Sequence, residues 1–363
     1  MSFYGIDAHS DNFKITMLGL EKEEKATVTT LKNEKSKIED FVSKLTKDDF
    51  IAIEASTNSF WFYDLVEKHV NKCYVINPCK FADIKNSFVK TDKNDSLKLA
   101  KHLKYNVLFG SENDKLPDVY VPEIEVRDLR ALFTTYEMNN RKKTMAKNRV
   151  HSLLKQQGIC LNKNNEDIFS KGYNLLSKIN VRDIVKFQIE QLQDEIEFLE
   201  KSIDAIKNKI LEKGICFKKE IDLLTSIKGI SVFTAIAVMT DIADINRFES
   251  AKKLCAYLGL CPTINSSNKS TKMGGINRQS RKLTRTMLCQ SVIHFYNSSP
   301  YYMDFSQKLK TRKSSGKVRI AVIRKIVTNI FRMLKDKKYF LGMNEKNHNN
   351  KMIQYSKILK NIA

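Results

Sequence analysis

Acidic residues are in short supply. Asp and Glu number 41 against 63 Lys and Arg, and the formal charge over 363 residues is +22. Such an excess favours a polyanionic partner, because each phosphate contact releases counterions. The bases are spread along the chain and form no single amphipathic segment, which argues against an anionic membrane surface. Long hydrophobic runs are also missing. The best apolar stretch, residues 232–239, is far too short to span a bilayer. The sequence opens MSFYGIDAHS, with no basic segment leading into an apolar one, so no secretory leader is expected and a cytoplasmic location is. The 7 cysteines contain no C-x-x-C pair and have no His at ligand spacing, so they read as reduced, mostly buried thiols and not as a zinc site or disulfides. No internal repeat is present. What remains is a folded chain, 42% apolar and long enough for two or three domains.

Four segments are expected in order. Residues 1–125 mix strands and helices. Short β-prone runs at 3–6, 13–20 and 25–31 come first, a helix at 35–45 follows, and then a buried strand at 50–54, a helix at 60–70, a strand at 73–76 and a helix at 91–103. Three strands followed by alternation fit an α/β domain of the ribonuclease-H type. Residues 126–215 carry no strand signal. Val185, Ile189, Leu192, Ile196, Leu199, Ile203, Ile206 and Ile210 step by four and three in a heptad seam. A strict two-in-seven stripe is narrower than a globular helix usually shows, so a coiled coil with a second subunit is favoured over packing within one domain. Residues 216–340 read as mostly helical, broken by a polar, glycine-bearing stretch at 265–278. Residues 341–363 form a polar, basic tail, expected to be mobile. The fold class is α/β followed by all-α.

Carboxylates stand where chemistry could use them. Asp7 follows the first strand and opens a turn, Glu54 ends an apolar strand, and Asp92 and Asp95 lie three apart on one helical face. A two-metal site needs such oxygen ligands, with positions left open for phosphate and water. Glu54 is the most telling of the four, since a charge ending an apolar strand is seldom there for packing. Asp92 also suits the dipole at a helix start, and Asp95 a helix surface.

Two features of the second half point to phosphate. Ile227-Lys228-Gly229-Ile230-Ser231 before an apolar helix resembles a helix–hairpin–helix turn, although its second glycine is Ser231, and a simple inter-helix turn reads as well. Further on, Ser266-Ser267-Asn268 is followed by Lys269, Lys272, Arg278, Arg281 and Arg285. A serine attacks phosphate only when its proton is taken and the phosphate charge is neutralised, and these bases suit the second task. On composition, such a serine stretch is ordinarily a loop.

Tyr4-Gly5-Ile6-Asp7, Ile53-Glu54-Ala55-Ser56 and Lys90-Thr91-Asp92-Lys93-Asn94-Asp95 resemble the three acidic motifs of the DEDD-type insertion-sequence transposases, the IS110 family, which includes the Piv site-specific invertases. Ile227-Lys228-Gly229, Phe248-Glu249-Ser250, Leu258-Gly259-Leu260-Cys261-Pro262 and Ile276-Asn277-Arg278 resemble its C-terminal transposase domain, and residues 320–334 its closing helix. The likeness runs in the right order along nearly the whole chain. It implies a RuvC-like N-terminal domain in which Asp7, Glu54, Asp92 and Asp95 hold Mg²⁺, as a two-metal site, with Mn²⁺ as a substitute. It implies Ser267 as nucleophile, five residues after Pro262, with Ser266 adjacent. It implies strand cleavage and exchange on donor and target double-stranded DNA through a phosphoserine linkage. A structured guide (bridge) RNA, a homodimer pairing into a tetramer, and a bacterial, nucleoid-associated location are implied as well. The sequence departs from the family at Asn268, where a glycine is usual, and at Asn277-Arg278-Gln279-Ser280-Arg281. A protein-directed invertase, a junction-resolving nuclease that uses only the acidic site, and a non-catalytic nucleic-acid-binding remnant are the alternatives.

Overall fold

A computed structural model describes the chain apart from residues 22–24, 82–90, 111–114, 160–168, 170–179, 268–269, 277–279, 297–299 and 363. It divides into two compact units, Met1–Pro122 and Glu123–Ala363.

The first unit is built on a five-stranded sheet: β1 (Phe3–Ala8), β2 (Asn12–Leu18), β3 (Thr27–Lys32), β4 (Phe50–Glu54) and β5 (Lys72–Ile76). Its order is β3-β2-β1-β4-β5. The first three strands follow one another by short connections and pair antiparallel, whereas β4 and β5 run parallel to β1. Parallel neighbours need crossovers, and α1 (Lys35–Ser43) and α2 (Ser59–Val66) supply them. Both helices cover one face, where Ile38, Val42, Phe62 and Val66 meet Ile6, Phe13, Ile15, Ile51 and Ile53. The alternate residues of the strands face the other way, and there Phe3, Ala52 and Ile76 meet Leu99 and Leu103 of α3 (Asp92–Phe109).

One expectation fails here. β1 does not end at Ile6. It runs through Asp7 and Ala8, which pair with Lys14 and Phe13 of β2. Asp7 is therefore held inside a strand, because ladder pairing overrides the low strand preference of aspartate.

The second unit opens with α4 (Ile124–Gln156) and α5 (Asp183–Lys213). They lie antiparallel. Val126, Leu129 and Phe133 share a core with Ile210 and Leu211, and Val150, Leu153 and Leu154 share one with Val185 and Ile189. Between these ends Asn139 Nδ2 donates to Ser202 Oγ at 3.1 Å. The heptad seam is thus covered by α4 of its own chain: Ile196, Leu199 and Ile203 are 1%, 5% and 6% exposed in the single chain. This corrects the expectation that a second subunit buries it. A narrow apolar stripe needs one partner helix, and α4 is long enough to be that partner. Accordingly, Ile196→Asp is expected to cost about 4 kcal/mol by burying an unpaired carboxylate. Thermal melting should show the loss. A clean fall in mass by light scattering with melting unchanged would return the seam to an intersubunit role.

The rest of the unit packs around α7 (Val232–Ile242), whose residues 234–242 are all buried. α6 (Lys218–Thr225) precedes it. α8 (Ala251–Tyr257), α9 (Leu283–Tyr296), α10 (Pro300–Lys310), α11 (Ser315–Asp336) and α12 (Glu345–Ile362) follow. The polar stretch before α9 is a β-hairpin and not a loop between helices: β6 (Pro262–Ser267) pairs antiparallel with β7 (Ser270–Ile276). The C-terminal segment is likewise not a loose tail. It forms α12, with His348 and Tyr355 buried and the Tyr355 hydroxyl donating to the Leu211 carbonyl at 2.9 Å. No helix among the described residues is long and apolar enough to cross a membrane.

Candidate functional site

The acidic site is built at the end of β1. Ile6 and Ile53 are register partners on parallel strands, so the next pair, Asp7 and Glu54, stand abreast. Neighbouring strands lie about 4.8 Å apart and these two positions share a face, the one that α3 covers. Thr91 caps α3, its hydroxyl accepting from the Asn94 amide at 3.3 Å. Asp92 and Asp95 follow in the first turn, where the helix dipole favours negative charge.

The approach of α3 to β1 is unusually close. A Cβ on Gly5 would lie 2.1 Å from the Ser96 carbonyl oxygen and 2.3 Å from the Ala100 nitrogen. Beside this contact the buried hydroxyls of Thr16 and Ser96 bond at 2.8 Å, tying β2 to the same turn of the helix. Two residues before Asp7 and one after Asp95, these contacts hold the carboxylates of strand and helix near one another.

Sequence reasoning missed His9. Its Nε2 lies 3.3 Å from Asp7 Oδ2 and 3.3 Å from Asp92 Oδ1. One ligand atom from each of Asp7, His9 and Asp92 falls within 4.8 Å of the others. The tight turn after β1 sets the ring: the His9 amide donates to the Asn12 carbonyl at 3.0 Å, and Asn58 Nδ2 donates to the His9 carbonyl at 3.2 Å. The available signal was the spacing, since residues two apart on extended chain share a face.

The electrostatics suit a cation. Burial pushes the Asp7 carboxyl above its ordinary value; His9 opposes this, and the charges of Asp92 and Asp95 add to it. Burial works against a charged His9, but Asp7 and Asp92 outweigh it and hold the ring above its ordinary value. Asp95 Oδ1 is buried and has no hydrogen-bond partner. A carboxylate oxygen removed from water without a partner is costly, and a bound cation would relieve it. The residues present therefore fit a divalent metal.

In the second unit, Ser266 and Ser267 end β6, with Ser267 opposite Ser270 across the hairpin. Only the backbone of Ser266, Ser267 and Lys272 is described, and Lys269 and Arg278 lie outside the described residues. Two of the expected phosphate contacts also hold the fold. Arg285 Nη1 donates to the Gly259 carbonyl at 2.9 Å, and Arg281 Nε lies 3.6 Å from Asp241 Oδ1. Asp241, another residue the sequence did not single out, is buried, and its Oδ2 accepts the Thr284 amide at 2.8 Å, capping α9. Ser231 caps α7 by accepting from the Thr234 amide, so the turn after α6 does lie between two helices.

Residues 4–159 match a family model of DEDD-type IS110 transposases, and residues 221–307 match that of the IS116/IS110/IS902 transposase family. A Sinorhizobium fredii protein named as a transposase is 22% identical, over 66% of this chain and 57% of its own. The transposase for insertion element IS1111A of Coxiella burnetii is 21% identical, over 55% of this chain and 53% of its own. This chain thus spans little more than half the length of those two relatives. The pilin gene-inverting protein of Moraxella bovis is 23% identical over 80% of this chain and 81% of its own.

Proposed function

The chain belongs to the IS110-type DEDD transposases, and from that premise we propose that it is a metal-dependent DNA recombinase whose N-terminal unit is of the ribonuclease-H, RuvC-like type. The observation that carries this is the gathering of Asp7, His9 and Asp92 ligand atoms within 4.8 Å at the end of β1, beside the unpartnered Asp95 oxygen. The strand order supports the fold assignment, with three antiparallel strands extended by two parallel ones.

Asp7, Glu54, Asp92 and Asp95 hold Mg²⁺, as a pair of ions, or Mn²⁺; His9 adds a nitrogen ligand that suits the transition ion better. Bound there, the metal neutralises phosphate charge during phosphoryl transfer. The carboxylates keep the site negative enough to retain a cation on a chain of charge +22. The segment divisions at 125, 215 and 340 describe a nuclease domain, a helical linker, a serine domain and the C-terminal helix.

The attacking group is Ser267. Its hydroxyl gives up its proton as Oγ bonds to phosphorus, the bond from phosphorus to the leaving sugar oxygen breaks, and that oxygen takes up a proton, so no net proton is gained or lost. Lys269, Lys272, Arg278, Arg281 and Arg285 are the bases assigned to neutralise the phosphate charge. Donor and target are double-stranded DNA, and a structured guide RNA selects them by base pairing. The working unit is a dimer that pairs into a tetramer, in the bacterial cytoplasm at the nucleoid, and its subunits join through surfaces other than the heptad seam.

One experiment addresses both halves. The protein is expressed with its flanking genomic DNA, purified, and incubated with DNA and Mn²⁺, and the adduct is digested for peptide mapping. A nucleotide remnant on Ser267 is expected, with one defined flank-encoded RNA co-purifying. A remnant on Ser266 moves the nucleophile by one residue. Metal-dependent cleavage with no adduct points to a junction-resolving nuclease. A Ser267 adduct with only random RNA favours the second reading, a protein-directed invertase, which the relative named for inverting pilin genes supports by matching across four-fifths of both chains.

A further inference from the structure

The turn between α6 and α7 converges three backbone carbonyls on one point. Lys351 Nζ, from α12, lies 2.9 Å from the Thr225 oxygen, 3.4 Å from the Ile227 oxygen and 2.9 Å from the Ile230 oxygen. An ammonium has three donors, and here each has one carbonyl to meet. Thr225 is the last residue of α6, so its carbonyl is one that the helix leaves unsatisfied, at the negative end of the helix dipole. Among the described residues no carboxylate pairs with Lys351.

The cage is rigid for reasons independent of Lys351. Gly229 holds φ at +100°, and a Cβ there would lie 3.0 Å from the Phe295 ring and from His294 Cβ, so α9 fixes the turn from behind. The Ile230 amide donates to the Ile227 carbonyl at 3.1 Å, closing the turn on itself. α12 has other anchors as well: His348 Nε2 lies 3.0 Å from Asp222 Oδ1, and the Tyr355 hydroxyl bonds to Leu211. Burial lowers the Lys351 ammonium from its ordinary value, as expected for a cation withdrawn from water.

Converging carbonyls that replace an ion's hydration shell are how backbone binds alkali cations, and an ammonium is close in size to K⁺. We propose that the α6–α7 turn is a carbonyl site for a monovalent cation, occupied in this chain by the Lys351 side chain as a tethered ion that fastens α12 to the turn. A polar surface helix without this contact would lose its central clamp, while the vacated carbonyls would face one another with no counter-charge.

Lys351→Met keeps the apolar stem and removes the charge. Thermal melting of the full chain is compared in KCl, NaCl and tetramethylammonium chloride at equal ionic strength. The unsubstituted protein is expected to melt alike in all three. Lys351→Met should melt about 4 °C lower in tetramethylammonium chloride and recover at least half of that loss in KCl, where a small ion can enter the cage. An unchanged melting temperature overturns the proposal, and so does an equal loss in every salt, which would make Lys351 a packing residue only. If Lys351→Met fails to fold, nitrogen-labelled lysine in the unsubstituted chain decides by NMR. One ammonium protected from proton exchange and indifferent to added K⁺ is expected; a set that all exchanges fast overturns the proposal.

Discussion

Asp7→Asn is expected to reduce metal-dependent DNA cleavage by about 10³-fold or more while leaving the metal-free protein folded and no less heat-stable. Asp7 is nearly buried, inside a paired strand, with Asp92, Asp95 and His9 around it. Burial raises its folded-state pKa, and the neighbouring carboxylates raise it further against the opposing His9. A carboxyl raised in this way favours folding most below its unfolded value, and that contribution is lost as the pH climbs through the folded value. At neutral pH the ionised group is therefore a cost that the metal-free fold carries. Asparagine keeps the shape and removes that cost. Added Mn²⁺ or Mg²⁺ should raise the melting temperature of the unsubstituted protein, because a ligand that binds only the native state stabilises it. The variant should show little of this rise. Unfolding on substitution would make Asp7 structural, and a full metal-induced rise in the variant would remove it from the ligand set.

The difference between what could and could not be read beforehand follows from how each residue is fixed. The strand at 50–54 was legible to the residue, because an apolar run bounded by Asp49 and a terminal glutamate leaves no other boundary. β1 was not, since its last two residues are held by their partners in β2 and not by their own preference. The seam of α5 told that something covers it; that α4 of the same chain does so depends on a reversal after residue 156 that no periodicity encodes. α12 was hidden because its apolar spacing, Met352, Tyr355 and Ile358, sits among Lys and Asn, and because its other anchors, His348 and Lys351, read as surface residues. The hairpin carrying Ser267 was hidden because Ser, Asn, Lys and Gly make a weak strand by propensity.

At the acidic site the same division holds. Glu54, Asp92 and Asp95 are where spacing put them, one at a strand end and two on a helix's first turn. His9 joins them from just past the end of β1, two residues after Asp7, where its amide donates to the Asn12 carbonyl and its carbonyl accepts from the Asn58 side chain. What the sequence could not supply is the distance between strand and helix, and that distance is set by a residue with no side chain.

Gly5→Ala is therefore expected to be among the most damaging single-atom additions in the chain. The new Cβ would meet the Ser96 oxygen at 2.1 Å and the Ala100 nitrogen at 2.3 Å, both backbone atoms of α3. No rotamer change relieves a clash with backbone, so the helix has to retreat from the sheet. Retreat opens the Leu99 and Leu103 packing and breaks the buried Thr16–Ser96 bond, and overpacking of this kind costs about 3 kcal/mol. For a unit of this size the melting temperature should fall by about 10 °C. It also carries Asp92 and Asp95 away from Asp7, and a misplacement of about 1 Å can cost about 10²-fold in rate. Ser96→Ala separates the two effects. It removes the hydroxyl bond but leaves the helix seated, so it should cost about 1 kcal/mol and leave cleavage within a few-fold of normal. If Gly5→Ala melts and cleaves as the unsubstituted protein does, the helix is free to move without consequence, and the strand-to-helix distance is not what assembles the site. If it loses cleavage at temperatures where it is still folded, and Ser96→Ala does not, then the glycine's role is to let the carboxylates of α3 reach Asp7.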